Sequence, residues 1–247
     1  MKRKPAQRPI PSGQNRLLMA MPRATQSRLA ERMSIVTPRL RDVLVEAGDI
    51  MPYIYFPLGG IMSILAVTDD GDAVEISTVG SEGMVGVPVF LGSTTSPSRA
   101  VQQAVGAAWR MTAKDFLKEA DRDKALSTIL RRYTHTFFVQ VSQSAACNRL
   151  HEANERMSRW LLMCHDRVGA DEFPITHEFL AQMLGVRRAT VTVIAGMLQK
   201  AGIIRYSRGI VVIVDREKLE EASCECYRII NAEYDRLFET NGNRARN

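Results

Sequence analysis

The residues best suited to bind metals or to act as nucleophiles lie in the second half of the chain. All four histidines and all four cysteines lie beyond residue 134, at His135, Cys147, His151, Cys164, His165, His177, Cys224 and Cys226. The first half therefore has no thiolate or imidazole ligand, which argues against a metal-dependent enzyme there. Cys224 and Cys226 are separated by one residue, whereas structural zinc sites use a wider ligand spacing. We therefore predict no metal site and no cofactor.

The common catalytic motifs are also missing. The chain has no G-x-S-x-G nucleophile elbow, no G-x-x-x-x-G-K-[ST] phosphate loop and no H-E-x-x-H zinc pair. His135 and His151 fall within a predicted long helix, where a solvated or hydrogen-bonded histidine is commoner than a metal ligand. Hydrolytic and redox catalysis are therefore not supported, and we predict that the protein is not an enzyme.

One glycine-rich loop could bind a small molecule. Residues 80–101 read GSEGMVGVPVFLGSTTSPSRAV. Backbone N–H groups and an arginine fork can hold a phosphate, which makes Gly86, Ser98 and Arg99 candidate effector-binding residues. The alternative is an ordinary glycine-rich turn with Arg99 in solvent, and the loop on its own favours this alternative.

The strongest functional pattern is a pair of short helices around a tight turn in residues 174–204. Each helix has one apolar face, formed by Leu180, Ala181 and Leu184 in the first and by Val191, Ile194 and Leu198 in the second. Gly185 permits the positive φ that the turn needs, and Val186 fills the angle between the helices. Arg187 and Arg188 fall at the first turn of the second helix, the end that enters the major groove in helix-turn-helix proteins. The pattern predicts binding to double-stranded DNA.

A predicted β-hairpin follows these helices and extends the DNA-binding unit. Residues 203–215 alternate around Ser207, Arg208 and Gly209, which is typical of two strands joined by a tight turn. Beside a helix-turn-helix, such a ribbon forms a wing. The candidate DNA-binding residues are Thr176, His177, Arg187, Arg188, Thr190, Thr192, Val193, Ser207 and Arg208.

The elements that position these residues divide the chain into four parts. Residues 1–30 are predicted to be a basic tail and a short helix, and residues 31–122 a β-roll of short strands punctuated by glycines. Residues 123–151 form a long helix. Residues 152–247 form the winged helix-turn-helix domain, ending in one helix over residues 216–240 whose packing partner and cysteines have no assigned role. The fold class is α+β.

The long helix carries a repeating apolar stripe. Steps of four and three residues place one set of side chains on a single face, namely Leu126, Leu130, Tyr133, Phe137, Val141, Ser144 and Asn148. This face could lie on the core of its own domain or form the interface of a two-fold dimer. We favour the dimer because helix-turn-helix modules usually read paired half-sites.

Composition is consistent with this organisation. The 247 residues are 45% hydrophobic and 24% charged, as in ordinary globular proteins, and the net charge of +6 favours an anionic partner. No apolar run approaches the length of a membrane helix, and the basic N-terminus is not followed by the apolar segment of a signal peptide. We expect a cytoplasmic protein without membrane contact.

These features together resemble the Crp/Fnr transcription regulators. The resemblance covers residues 30–215 and is strongest in ITHEFLAQMLGVRRATVTVIAGMLQKAGII and in NERMSRWLL before it. It implies a bacterial homodimer on a palindromic operator, a roll that senses a signal, and RNA polymerase as a candidate partner. It also implies that Thr176 and His177 contact phosphates, that Arg188 reads guanine and that Thr190 supports a backbone contact.

The chain departs from the family pattern at two sites. Ala189 replaces a base-reading glutamate and Val193 another reader, so we expect a different operator, with Arg187 compensating. In the nucleotide pocket, Gly86 is followed by valine instead of glutamate, and only Arg99 remains of the Arg-Ser pair. We therefore expect no tight binding of cyclic AMP and leave the effector unknown. The alternative function is a ligand-independent repressor whose β-roll is only a dimerisation scaffold.

Overall fold

The computed structural model describes residues 14–239, so most of the predicted basic tail lies outside the described residues. Two short helices come first, α1 (Arg16–Met19) and α2 (Arg23–Ala30). Asn15 caps α1 by accepting a hydrogen bond from the Leu18 N–H, and its own amide donates to the carbonyls of Pro57 and Gly83. This buried side chain ties the N-terminal segment to the β-rich unit that follows.

Seven strands and a short helix form the β-rich unit. They are β1 (Ser34–Val36), β2 (Val43–Val45), β3 (Tyr53–Pro57), β4 (Ile61–Val67), β5 (Ala73–Val79), α3 (Val87–Phe90), β6 (Arg99–Ala104) and β7 (Ala108–Thr112). One antiparallel sheet has the order β2-β6-β4-β5 and the other the order β1-β7-β3. Side chains of both sheets, such as Phe56, Leu65 and Met111, enter one hydrophobic core. The predicted β-roll is confirmed.

Two helices lead away from the roll. α4 (Ala113–Arg122) is capped by Thr112, whose hydroxyl accepts the Asp115 N–H. α5 (Lys124–Leu150) is 27 residues long and is capped by Asp123, which accepts the N–H groups of Ala125 and Leu126. The long helix therefore has the predicted position between the roll and the DNA-binding unit.

The face of α5 that was expected to form a dimer packs mostly within its own chain. Leu126, Leu130 and Tyr133 are fully buried and Ser144 nearly so. The Tyr133 hydroxyl donates to the Met84 carbonyl and accepts the Met84 N–H, which fixes α5 against the roll. Assigning these four residues to a dimer interface was wrong, because the same spacing serves a helix that covers its own domain.

The remaining residues of the predicted interface are more accessible. Phe137 and Val141 are half-buried at the edge of the roll, and Asn148 is exposed. Phe138, which the sequence interpretation left out, is 68% exposed. The free face of α5 is therefore rotated away from the predicted one.

The second half of the chain begins with α6 (Ala153–Val168). It is followed by β8 (Glu172–Pro174), α7 (His177–Leu184), α8 (Arg188–Lys200), β9 (Ile204–Ser207) and β10 (Ile210–Ile213). The sheet order is β8-β10-β9, so the predicted two-stranded wing has a third strand. The buried residues Leu161, Cys164, Leu180 and Ile194 belong to the same hydrophobic cluster as the core of the roll.

The C-terminal segment forms two helices instead of the single predicted one. α9 (Arg216–Glu221) ends before Cys224, and α10 (Cys226–Phe238) starts after it. α10 packs along α5, where the Tyr234 hydroxyl donates to Gln140 Oε1 at 2.7 Å. No helix among residues 14–239 is both long and apolar enough to cross a membrane.

Candidate nucleic-acid interface and effector cavity

The turn between α7 and α8 fixes the angle between these helices. Gly185 ends α7 in the left-handed conformation, with φ at +62°, which costs little without a Cβ atom. The Val186 N–H then donates to the Ala181 carbonyl at 2.9 Å. The two predicted apolar faces meet here, because Leu180, Leu184 and Val191 are all buried. This packing leaves the other side of α8 free.

The N-terminal end of α8 presents a concentrated positive charge. Arg187 is the N-cap residue, and its side chain makes no capping hydrogen bond. First-turn N–H groups and the helix dipole therefore add to the two guanidinium charges. Arg188 is 71% exposed, and its nearest carboxylate, Glu178, is 4.0 Å away and itself exposed. Such a weak surface pair leaves Arg188 available for a ligand.

The half-buried His177 side chain contacts both α8 and the wing strand β9. Its ring stacks on Tyr206 with centroids 4.3 Å apart, and its Nδ1 lies 3.0 Å from the Thr192 hydroxyl. Because Thr192 donates to the Arg188 carbonyl, it accepts from the imidazole Nδ1–H. Burial, followed by the charge of Arg188, lowers the pKa of His177, so the ring is neutral at pH 7. These contacts place the His177 ring against α8 and β9, and the expected phosphate contact by this residue stays a prediction.

The other predicted DNA-binding residues surround the same end of the unit. The Thr176 hydroxyl caps α7 by accepting the Phe179 N–H. Thr190 is half-buried, and Val193 is 63% exposed on α8. Ser207 and Arg208 are exposed at the wing turn, where Arg208 adopts a positive φ of 49°. Thr176, Val193, Ser207 and Arg208 are thus exposed on the DNA-binding unit, and their contacts with DNA stay predictions.

A second site lies between the roll and α5. A cavity of about 480 Å³ is lined mostly by apolar side chains, including Ile64, Ile76, Met84, Leu91, Phe137 and Val141. Its volume is within the range of about 300–1,000 Å³ that is usual for small-molecule sites. Among the described residues no charged side chain lines it. The cavity therefore suits an uncharged ligand.

The predicted effector residues do not come together at this cavity. Gly86 and Ser98 line it, but Arg99 does not. Strand alternation turns Arg99 to the opposite face of β6, where its Nε donates to Glu46 Oε2 at 2.5 Å. The assignment of Arg99 to the effector site was therefore wrong. Glycine and serine spacing located the cavity, but it did not determine which face of the strand the arginine occupies.

Buried polar contacts join the roll to the DNA-binding unit. Trp160 Nε1 on α6 donates to Glu75 Oε1 on β5 at 2.7 Å, and the Ser63 hydroxyl donates to Glu75 Oε2 at 2.7 Å. Burial raises the pKa of the Glu75 carboxyl from 4.5 to about 7, although these hydrogen bonds act in the opposite direction. The carboxyl therefore titrates near neutral pH at the junction of the two units.

An ion pair lies beside this contact. Arg167 Nε on α6 donates to Glu82 Oε1 in the glycine-rich loop at 2.9 Å, and the two side chains are 6% and 10% exposed. Sequence reasoning missed these junction residues. The one available signal was Glu75 itself, a single carboxylate within the apolar strand of residues 73–79.

Two protein families match successive parts of the chain. The cyclic nucleotide-binding domain matches residues 39–123, and the Crp-like helix-turn-helix domain matches residues 155–222. The first match extends from β2 to α4 and the second from α6 to α9. No curated protein sequence matches the chain.

Solved structures share the whole arrangement at low sequence identity. FixK2 from Bradyrhizobium japonicum has a TM-score of 0.65 at 15% sequence identity, over 78% of this chain and 98% of that one.

 A CRP-family transcriptional regulator from Thermus thermophilus has a TM-score of 0.63 at 16% identity, over 76% of this chain and 96% of that one. Another regulator from the same organism, of the CRP/FNR family, has a TM-score of 0.53 at 24% identity, over 77% and 98%. These likenesses show the fold.

The two matched domains follow one another in the order of the roll and the winged helix-turn-helix, and together they cover more than half of the chain. Arg187 and Arg188 lie on the exposed end of the second helix of that motif. The chain therefore belongs to the Crp/Fnr family of DNA-binding transcription regulators.

Proposed function

We propose that this regulator acts as a homodimer that reads a palindromic operator through α8 and responds to an uncharged small molecule in the roll. The observation that carries the proposal is the exposed pair Arg187 and Arg188 at the N-terminal end of α8. That end of the second helix is the one that contacts base edges in helix-turn-helix proteins.

Base reading is assigned mainly to Arg188. An arginine can donate two parallel hydrogen bonds to guanine O6 and N7, which is the commonest specific contact in the major groove. Ala189 and Val193 are exposed on the same helix but offer only apolar contact, for example with a thymine methyl group. Arg187 at the N-cap, and Ser207 and Arg208 in the wing, are placed to contact the phosphate backbone.

The dimer is assigned to the free face of α5. Its side chains recur at helical spacing and are exposed or half-buried, namely Thr134, Phe137, Phe138, Val141, Ala145 and Asn148. This stripe spans about 21 Å at the rise of an α-helix. A second copy of the chain is its proposed partner, because a two-fold axis along α5 would present two α8 helices to successive half-sites.

The effector is proposed to occupy the apolar cavity. Phe137, Phe138 and Val141 belong both to the cavity wall and to the proposed dimer face. A ligand there would contact the helix that carries the interface, which supplies a physical link between binding and dimer geometry. Cyclic AMP is disfavoured because its phosphate would lack a cationic partner. A ligand-independent repressor remains the alternative, in which the cavity has no occupant that alters DNA binding.

A gel-shift titration of the chain on the promoter region of its own gene tests the DNA-binding part. Arg188→Ala removes the proposed base contact, and Arg39→Ala, at an exposed arginine of the roll, is the matched control. Loss of one bidentate contact costs about 1–3 kcal/mol, or a roughly 5- to 150-fold weaker Kd. Specific binding that survives Arg188→Ala unchanged would contradict the assignment of the reading helix.

A further inference from the structure

Three cysteines and one histidine meet where α5, α6 and α10 come together. Cys147 and His151 are one helical turn apart at the end of α5, and Cys224 and Cys226 lie where α10 begins. One ligand atom from each residue lies within 4.8 Å of all the others. The three thiols are buried and the imidazole is half-buried. The sequence alone showed only the Cys-x-Cys pair, because its two partners are more than seventy residues away.

Two separations within this cluster are close to those around a single tetrahedral ion. Cys147 Sγ and Cys224 Sγ are 3.4 Å apart, and Cys226 Sγ is 3.6 Å from His151 Nδ1. Bond lengths of about 2.3 Å to sulfur and 2.05 Å to nitrogen give edges of roughly 3.8 and 3.5 Å in a tetrahedral zinc site. Four protein ligands leave no open position, which is the pattern of structural zinc sites.

A carboxylate lies beside the second nitrogen of His151. His151 Nε2 lies 3.3 Å from Glu225 Oε2. A hydrogen bond from Nε2–H to this carboxylate leaves the Nδ1 lone pair free toward the sulfur atoms. Ligating histidines in zinc sites usually have such a partner, which fixes the ring and the tautomer.

Positive charge surrounds the cluster. Arg156 is close enough to act on Cys147 and Cys224, and Arg159 on Cys147 and Cys226. In the part of the chain that the structure describes, the buried Nε–H groups of both arginines have no hydrogen-bond acceptor. Zinc bound by three thiolates and a neutral imidazole carries one net negative charge, which would offset part of the positive charge of these two buried arginines.

We propose that Cys147, His151, Cys224 and Cys226 form a structural zinc site. Metal binding would release the protons of the three thiols to solvent and join the end of α5 to the start of α10. Arg156 also donates to the carbonyls of Asn148 and Leu184, so this junction continues to the end of α7. The zinc site would therefore stabilise the packing of the helix-turn-helix against the end of α5.

Two other occupants of the same cluster are disfavoured by its geometry. An iron–sulfur cluster places irons and sulfides between its ligands and needs them further apart than a single ion does. A disulfide between Cys147 and Cys224 would leave Cys226 and His151 without a role. The sulfur atoms of Cys147 and Cys224 are also beyond the length of a disulfide bond. Both become outcomes of the test.

The test is the metal content of the full chain. The protein is purified without oxygen from cells supplied with zinc, and its zinc is measured by inductively coupled plasma mass spectrometry. We expect about one zinc per chain, as for a closed four-ligand site. Replacement by Co²⁺ should give the intense visible bands of tetrahedral thiolate coordination, a result that needs no variant. Wild-type protein that holds no zinc and gives no such spectrum would overturn the proposal.

Variants locate the metal. Cys226→Ser and Cys147→Ser should each lower the zinc content at least several-fold, whereas Cys164→Ser should retain it. Cys164 is the matched control because it is the buried cysteine outside the cluster, where its sulfur contacts the Gln103 amide. Equal zinc in Cys226→Ser and wild type, an iron–sulfur absorption spectrum, or a Cys147–Cys224 disulfide in the native protein would each contradict the assignment.

Discussion

Replacing the buried carboxyl of Glu75 with an amide should remove a pH dependence of stability. Glu75 accepts hydrogen bonds from Ser63 and from Trp160, so it lies where the roll meets α6. Its pKa is about 7 in the folded chain, raised mainly by burial from 4.5. Glu75→Gln keeps the shape and can still accept from the Trp160 indole, but it cannot ionise.

The direction in which stability changes with pH follows from the protons bound by the folded and unfolded chains. Between pH 4.5 and 7 the folded chain holds a proton on Glu75 that the unfolded chain has lost, so this group makes the free energy of unfolding fall as pH rises. The contribution levels off above the folded pKa. A shift of this size corresponds to about 3 kcal/mol in total, of which roughly 2 kcal/mol fall between pH 5 and 8.

Denaturant unfolding followed by tryptophan fluorescence measures this effect. The stability of Glu75→Gln relative to wild type should increase by about 2 kcal/mol from pH 5 to pH 8. Glu31→Gln, at an exposed carboxylate of the N-terminal segment, is the control and should show no such change. If the difference in free energy of unfolding between Glu75→Gln and wild type is constant across this range, Glu75 does not titrate with a raised pKa.

Two further predictions concern the long helix and the cavity. Phe138→Glu places a charge on the proposed dimer face and should give a monomer by light scattering, whereas Arg131→Glu on another exposed position of α5 should leave the dimer intact; a dimeric Phe138→Glu variant would place the interface elsewhere. In a thermal-shift screen, uncharged apolar compounds should raise Tm, and Ile64→Trp, which fills the cavity, should abolish the shift while Arg99→Ala leaves it unchanged. A shift that depends on Arg99 instead would mean that the ligand binds on the opposite face of the sheet.

Local signals were enough to predict the DNA-binding unit. The glycine at the α7–α8 turn, the two apolar faces and the tight turn at Arg208 each determine structure within a few residues. Alternation and glycines likewise indicated the roll. The third strand of the wing was missed because residues 172–174 are too short to show a period.

Features that depend on distant parts of the chain were not predictable in this way. Apolar spacing on α5 cannot distinguish a face covered by its own roll from one covered by a partner, so Leu126 and Tyr133 were assigned to the wrong contact. The side of β6 occupied by Arg99 depends on strand register. The four-residue cluster around Cys147 requires the packing of α10 on α5, which sequence spacing does not show.

The base preference of wild type and of Arg188→Ala shows directly whether Arg188 reads a guanine in each half-site. After the operator has been located by footprinting, each guanine of a half-site is replaced in turn, and Kd is measured for wild type and Arg188→Ala at fixed salt. For one guanine in each half-site, replacement should cost wild type about 1–3 kcal/mol and cost Arg188→Ala almost nothing. If Arg188→Ala keeps the wild-type preference at every guanine, Arg188 does not read a base.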